Sequence, residues 1–169
     1  ITLDGFEKAL QDLPRKDHRH RIEHCTVVHP EILKRMKKVR LLAVPFGPYI
    51  YYHGEKMIPY YGSRRVEMMF AHRSFLDYGI PVSGSSDNPC APYEPLIAIQ
   101  SCVTRKSRTG EILAAKQRIT VEEAIYLYTM GSAYASFEEH AKGSIEPGKM
   151  ADLVVLGEDP RRVNPDEIK

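Results

Sequence analysis

The sequence predicts an α/β fold built around a parallel β-sheet. Short apolar segments typical of strands alternate with segments whose apolar residues recur at helical spacing, which is the order found in βαβ units. The strand-like segments are apolar along nearly their whole length, as expected for parallel strands buried on both faces. An open sheet of three or four strands and part of a closed barrel both agree with this pattern.

The first half of the chain begins with two helices and two strands in alternation. Apolar residues at helical intervals open the chain, and Pro14 ends this first helix. The strand that follows is β-branched toward its end, and Pro30 then stands at an early helical position, which tolerates proline. In order, the pattern predicts a helix over Leu3–Leu13, a strand over His20–Val28, a helix over Pro30–Lys38 and a strand over Val39–Pro45.

A long loop is predicted next, because Gly47–Gly62 combines several tyrosines with two prolines and three glycines. Ser63 is the expected cap of a helix that runs through Phe70 to about Asp77. The short apolar segment Gly79–Ser83 follows and is predicted to be the next strand.

The last third of the chain carries clear helix and turn signals. Thr120 and Glu123 form the T-x-x-E pattern of a capping box ahead of an apolar run. Pro147–Gly148 is the pair typical of a type II turn, because glycine accepts the positive φ that this turn requires. These signals predict helices over Pro95–Thr104 and Ile119–Met130, and then a turn followed by a strand over Gly143–Leu156.

Charge and cysteine content indicate which binding partners and which cellular compartment to expect. The chain has 24 basic and 22 acidic side chains and a formal net charge of +2, so we expect neither a nucleic acid nor a membrane surface as partner. Cys25, Cys90 and Cys102 are widely spaced and odd in number, which argues against a disulfide framework and favours a reducing, cytoplasmic setting. No apolar stretch reaches the roughly 18 residues of a membrane span, and we identify no signal peptide.

His24 is the first candidate for chemistry. It ends the run H-R-I-E-H in a predicted strand, and a neutral imidazole there is well suited to bind a divalent metal ion. His20 and His24 would lie one turn apart in a zinc-binding helix, but the glutamate is displaced from that motif and the following residues favour a strand. The alternative without function is a hydrogen-bonded or solvated histidine.

Asp87 is the second candidate, in the small-residue run G-S-S-D-N-P directly after a predicted strand. A carboxylate there could bind a metal ion and accept a proton from metal-bound water. The alternative is an aspartate that bonds its own backbone, because Ser-Asp-Asn-Pro is favourable turn chemistry.

Other polar and aromatic features give weaker signals. The tyrosines of the predicted loop could line a substrate pocket or pack within the loop, and the sequence does not decide between these two interpretations. His18, His20 and Asp152 are interpreted as solvated or structural, and no substrate-binding residue is assigned. The tyrosines concerned are Tyr49, Tyr51, Tyr52, Tyr60 and Tyr61.

Four motifs follow one another along the chain. They are H-R-I-E-H at 20–24, G-I-P-V-S-G-S-S-D-N-P at 79–89, R-I-T-V-E-E-A-I-Y-L-Y-T at 118–129 and G-S-I-E-P-G-K-M-A-D-L-V-V-L-G-E-D-P at 143–160. In this order and at these separations, the chain resembles the C-terminal part of the amidohydrolase superfamily, in the long-chain branch akin to N-substituted formamide deformylases. The resemblance covers nearly the whole chain.

The resemblance implies the C-terminal portion of a (β/α)8, TIM-type barrel over residues 1–140, and a strand segment of a small composite β domain over 141–169. It implies that His24 is the metal ligand at the end of the sixth barrel strand. It also implies that Asp87, after the eighth strand, is both a metal ligand and the catalytic general base. One or two divalent ions, Zn²⁺ foremost, would activate water against the amide-type C–N bond of a small-molecule substrate.

Several parts of the family pattern do not occur in the 169 residues. These are the H-x-H of the first strand, the bridging residue of the fourth, the metal-binding histidine of the fifth and the N-terminal strands of the β domain. Val44-Pro45 also stands where the family often has Gln-Pro, and the first residue is Ile1 rather than Met. We therefore expect a C-terminal fragment that is inactive alone and could lack bound metal. The alternative is a non-enzymatic α/β domain that stands alone or pairs with a second copy to cover its sheet edge.

Overall fold

Two parallel strands form the regular part of the sheet in this computed structural model, which describes residues 1–168. Strand β1 (Arg21–His24) pairs with β2 (Leu42–Pro45), and the register sets His24 opposite Pro45. The strands are linked by a helix, as a parallel pair requires.

A third extended segment, residues 82–85, lies along the other side of β2. Parallel bridges join Ala43 to Val82 and Phe46 to Ser85. The three segments therefore lie side by side in chain order, and their carboxyl ends meet at one edge of the sheet.

Helices precede β1, link the extended segments and follow the last of them. Among residues 1–168, none of them is long and apolar enough to cross a membrane. They are α1 (Thr2–Asp12), α2 (Pro30–Lys38), α3 (Tyr49–Tyr61), α4 (Ser63–Val66), α5 (His72–Asp77), α6 (Pro95–Thr104), α7 (Val121–Tyr128) and α8 (Met130–Ala135), with 3₁₀ turns at Ala115–Gln117 and Pro165–Glu167.

The core has two parts. The larger part gathers apolar side chains of α2, β2, α5, α6 and α7 around the central strand, whose four residues are all buried. The smaller part lies at the carboxyl end of β2, where Phe46 and Ile50 pack with Met57 and Phe70. Strand β1 is largely exposed and forms one edge of the sheet.

The mixed α/β class and most of the predicted elements are confirmed. Helices α2 and α6 have the predicted bounds, and α1 agrees with its prediction to within one residue at each end. Helix α7 begins at the predicted capping box, in which Thr120 accepts from the Glu123 amide and Glu123 accepts from the Thr120 amide. Strong local signals were sufficient for these elements.

The predicted loop over Gly47–Gly62 is wrong, because most of it forms helix α3. Ile50, Gly54 and Met57 are buried at roughly helical spacing, and Gly54 lies against Leu113 and Ser107. Tertiary packing on this face therefore outweighs the low helix propensity of the tyrosines, glycine and Pro59.

The single helix predicted from Ser63 to Asp77 is also wrong. Ser63 is the first residue of the short α4 and makes no capping hydrogen bond with its side chain. The chain then leaves the helical conformation, because Phe70 has a φ of +46°. A second helix, α5, starts only at His72.

The strands predicted at 20–28, 79–83 and 143–156 are shortened or not formed. Positive φ values at His24 and Cys25 end β1 early, and 79–83 makes only bridge contacts with β2. The turn at Pro147–Gly148 is confirmed, with a φ of +91° at Gly148. Residues 151–156 form no strand, and Val155 is 97% exposed. A strand needs a hydrogen-bonding neighbour, and none pairs with this segment within residues 1–168.

Candidate metal site

The two predicted metal ligands lie together at the carboxyl edge of the sheet. His24 is the last residue of β1, and Asp87 follows the extended segment 82–85. The imidazole Nε2 of His24 is 4.0 Å from Oδ1 of Asp87. These two side chains are far apart in the sequence. They meet because their extended segments run parallel on either side of β2 and end at the same edge of the sheet.

The backbone at both positions turns sharply away from the sheet. His24 and Cys25 have φ values of +66° and +42°, and Asp87 has a φ of +59°. Non-glycine residues adopt this left-handed region infrequently, and such residues are concentrated at functional sites. Here the turns end the extended segments where the two side chains meet.

Tyr49 holds one oxygen of the Asp87 carboxylate. Its hydroxyl donates a 2.8 Å hydrogen bond to Oδ2, and the residue is the first of α3, just beyond the end of β2. Partial burial, and then the neighbouring carboxylate, raise the pKa of Tyr49. The phenol therefore stays protonated near neutral pH and serves as a donor.

Aromatic rings form one wall of the site. The His24 ring lies 4.6 Å from that of Phe46. Tyr49 packs between Phe46 at 5.1 Å and Phe70 at 5.4 Å, and its ring meets His53 edge-on at 4.8 Å. This packing fixes the Tyr49 ring and leaves its hydroxyl directed at Asp87.

Serine side chains and Tyr128 shape the loop that carries Asp87. The Ser85 hydroxyl accepts from the Asp87 amide at 3.4 Å, and the Tyr128 hydroxyl donates to the Ser85 carbonyl at 3.2 Å. The Cys90 amide donates to the Asp87 carbonyl at 2.8 Å. Within residues 1–168, the Asp87 carboxylate accepts from Tyr49 rather than from its own backbone, so it is not the turn-forming side chain of the alternative interpretation.

The chemistry of the pair suits a divalent ion of the zinc type, which accepts imidazole nitrogen and carboxylate oxygen. Two donors on a tetrahedral zinc ion lie roughly 3.3–3.5 Å apart. The His24–Asp87 distance is 4.0 Å, so the two side chains would close by about half an ångström to bind one ion. His24 is 61% exposed, so its ring has room to rotate toward the carboxylate.

Catalytic zinc sites use three protein ligands, and residues 1–168 gather no group of three or more His, Cys, Asp or Glu residues that could hold an ion. The pair therefore fits part of a metal site.

The remaining candidates lie outside this group. His18 and His20 stack on each other at 4.7 Å near the start of β1, at the opposite end of the strand from His24. Cys25 and Cys102 are buried, and burial raises the pKa of each thiol to about 12. Asp152 is exposed. The sequence does not distinguish Tyr49 from the other four tyrosines, although its position four residues beyond the end of a buried strand is a usable signal.

Comparison with known proteins gives the family. The sequence pattern of the Amidohydrolase family matches residues 1–169. The chain belongs to this family. This amidohydrolase chain is 33% identical to the N-substituted formamide deformylase of Arthrobacter pascens, over 95% of its own length and 30% of that protein. It is 34% identical to YtcJ of Bacillus subtilis, provisionally named an amidohydrolase, over 97% of its length and 32% of YtcJ.

A solved structure agrees with the family. The amidohydrolase chain superposes on an uncharacterised metal-dependent hydrolase from Pyrococcus furiosus with a TM-score of 0.77 and 26% identity. The match covers 96% of this chain and 31% of that one. The chain thus spans about a third of the length of the curated relatives it matches.

Proposed function

We propose that the protein is a metal-dependent hydrolase that cleaves an amide-type C–N bond of a small molecule with activated water. The observation that carries this proposal is the approach of His24 Nε2 to Asp87 Oδ1, at 4.0 Å, where neighbouring parallel strands end. Membership of the amidohydrolase family supports the hydrolytic reaction. The name of the Arthrobacter relative supports an amide as the bond that is cleaved.

Within this proposal, β1, β2 and the segment 82–85 are neighbouring strands of a (β/α)8 barrel. Their carboxyl ends would face the active site, as in barrel enzymes generally. His24 and Asp87 would hold a divalent ion, with Zn²⁺ favoured by the nitrogen and oxygen donors. Further ligands would come from residues outside these 169.

The bound ion would polarise the substrate carbonyl and lower the pKa of a water molecule. Asp87 would accept a proton from that water as its oxygen attacks the carbonyl carbon. Asp87 would then deliver the proton to the nitrogen as the C–N bond breaks. Tyr49 donates to Oδ2, so Oδ1 is the carboxylate oxygen that faces His24.

We also propose that residues 141–169 belong to a small β domain completed by other parts of the whole protein. The support is the apolar segment 151–156, in which Val154 is 78% exposed and Val155 is 97% exposed. Pairing with further strands would bury these side chains. A cytoplasmic setting is part of the proposal and is supported by the three free cysteines.

The test is hydrolysis by the protein expressed from its complete reading frame. We expect bound zinc by elemental analysis and release of formate from an N-substituted formamide such as N-benzylformamide. Asp87→Asn should lower kcat by about 10²–10⁴-fold, because a general base contributes that much. Asp152→Asn, an equivalent change at an exposed aspartate, should leave kcat unchanged. Full turnover by Asp87→Asn would exclude Asp87 as the base.

A further inference from the structure

The two oxygens of the Asp87 carboxylate have different surroundings. Oδ2 accepts from the Tyr49 hydroxyl at 2.8 Å, whereas Oδ1 is the oxygen closest to His24 Nε2. A free carboxylate rotates about its terminal torsion with little preference between orientations. One fixed hydrogen bond is enough to distinguish its two oxygens.

Tyr49 is well placed to act as a fixed donor. Its ring is held by Phe46, Phe70 and His53, with centroid distances of 4.8 to 5.4 Å. It is the first residue of α3 and half-buried, so both its backbone and its side chain are constrained. Phe46 and His53 flank Tyr49 in the sequence, and Phe70 comes from a separate part of the chain. None of the three belongs to the loop that carries Asp87, so the hydroxyl position does not depend on that loop alone.

The backbone that carries Phe70, one of the three rings around Tyr49, is itself held by hydrogen bonds. The buried guanidinium of Arg105 donates to the carbonyl oxygens of Phe70 and Met69, each over 3.0 Å. The Phe70 ring therefore rests on a fixed backbone, and Tyr49 packs against that ring.

We propose that Tyr49 is the positioning residue of the metal site, holding Asp87 by Oδ2 so that Oδ1 is presented to the ion beside His24 Nε2. This inference rests on the proposed function, because it assumes that His24 and Asp87 bind the metal. Partners that orient a metal ligand from behind contribute about 10–100-fold to metal affinity or activity. Tyr49 would supply this effect through one hydroxyl.

The test measures zinc affinity and needs no substrate. The protein from its complete reading frame is stripped of metal, and its dissociation constant for Zn²⁺ is measured by competition with a chromogenic chelator. Tyr49→Phe, which removes only the hydroxyl, should weaken zinc binding by about 10-fold or more. The melting temperature of the metal-free protein should change little, because the ring contacts remain.

Tyr51→Phe is the matched control. Tyr51 lies in the same helix, where its ring packs edge-on against Tyr52 at 5.0 Å. Its substitution should leave zinc affinity unchanged. An equal loss in both variants would assign the effect to α3 as a whole and overturn the role of the Tyr49 hydroxyl.

His24→Ala and Asp87→Asn separate the two levels of the argument. If neither variant weakens zinc binding, the proposed metal site is wrong. If both weaken it while Tyr49→Phe binds zinc like the parent protein, the site stands and the positioning role of Tyr49 is refuted.

Discussion

The guanidinium of Arg105 donates a 3.0 Å hydrogen bond to the backbone carbonyl oxygen of Phe70. Arg105 is fully buried and gives further hydrogen bonds to the carbonyl oxygens of Met69 and Leu113. Burial lowers its pKa to about 10, so the charge is retained at neutral pH. In the part of the chain that the structure describes, backbone carbonyls rather than a carboxylate solvate this cation.

Replacing Arg105 should therefore be strongly destabilising. Arg105→Met keeps most of the side-chain length but leaves three carbonyl groups without their donor, and we expect the free energy of unfolding to fall by about 3 kcal/mol. The measurement is urea denaturation followed by circular dichroism. Arg108→Met, at an exposed position three residues later, should have little effect. Equal denaturation midpoints for the two variants would contradict the stabilising role of the three Arg105 hydrogen bonds.

His72 should make the protein less stable in mild acid. It is fully buried, its Nδ1 lies 2.8 Å from the Phe70 carbonyl oxygen, and burial followed by the charge of Arg105 lowers its pKa from 6.5 to about 3. Between these values the unfolded chain binds a proton that the folded chain does not. Stability should therefore fall as pH decreases from about 6.5, by up to about 1.4 kcal/mol per pH unit from this group.

The measurement compares unfolding free energies at pH 7 and pH 5 for the parent protein and His72→Gln. The variant should lose less stability over this range than the parent. The exposed His140 provides the control, and His140→Gln should follow the parent profile. Identical pH dependence in the parent and His72→Gln would show that His72 does not carry the effect.

Substitution by alanine should change the stability of the protein in opposite directions at two helical glycines. A Cβ added to Gly131 in α8 would lie 2.4 Å from the Val82 carbonyl oxygen, which is backbone and cannot move freely. Gly131→Ala should lower the free energy of unfolding by about 1–3 kcal/mol. Gly5 in α1 has open space, so Gly5→Ala should raise it by up to about 1 kcal/mol. Thermal melts compare the pair, and a neutral Gly131→Ala would show that α8 is not closely packed on the sheet.

The elements predicted correctly were those with strong local signals. Thr120 and Glu123 defined the start of α7, and the capping box is present with both of its hydrogen bonds. Ser63 offered an equally suitable side chain but does not cap, because α4 starts from Gly62 in a different backbone conformation. A residue of the capping type thus predicts a helix start only where its backbone adopts the conformation of an N-cap.

Helix α3 could not be predicted from local preference. Its sequence is rich in residues with weak helix propensity, and what stabilises it is the burial of Ile50 and Met57 together with the close approach of Gly54 to Leu113. These contacts depend on residues distant in sequence. The spacing of Ile50, Gly54 and Met57 was the one helical signal present.

The candidate site could be predicted in part from the sequence. His24 ends a predicted strand, and Asp87 follows another. The family resemblance assigned the roles of these two residues, and those roles stay predictions. The Tyr49–Asp87 hydrogen bond was not accessible, because it depends on where α3 begins relative to a loop far along the chain. Side-chain pairing of this kind is determined by the assembled sheet.

The order of the three extended segments links the candidate site to the cooperativity of folding. His24 and Asp87 belong to the outer segments, so they approach each other only when both segments have registered on the central β2. An ion bound by both side chains would select the fully registered sheet over any chain in which one segment has detached. Its binding free energy would then be added to the unfolding free energy of the whole sheet, and the stability of the sheet would rise with the concentration of the metal.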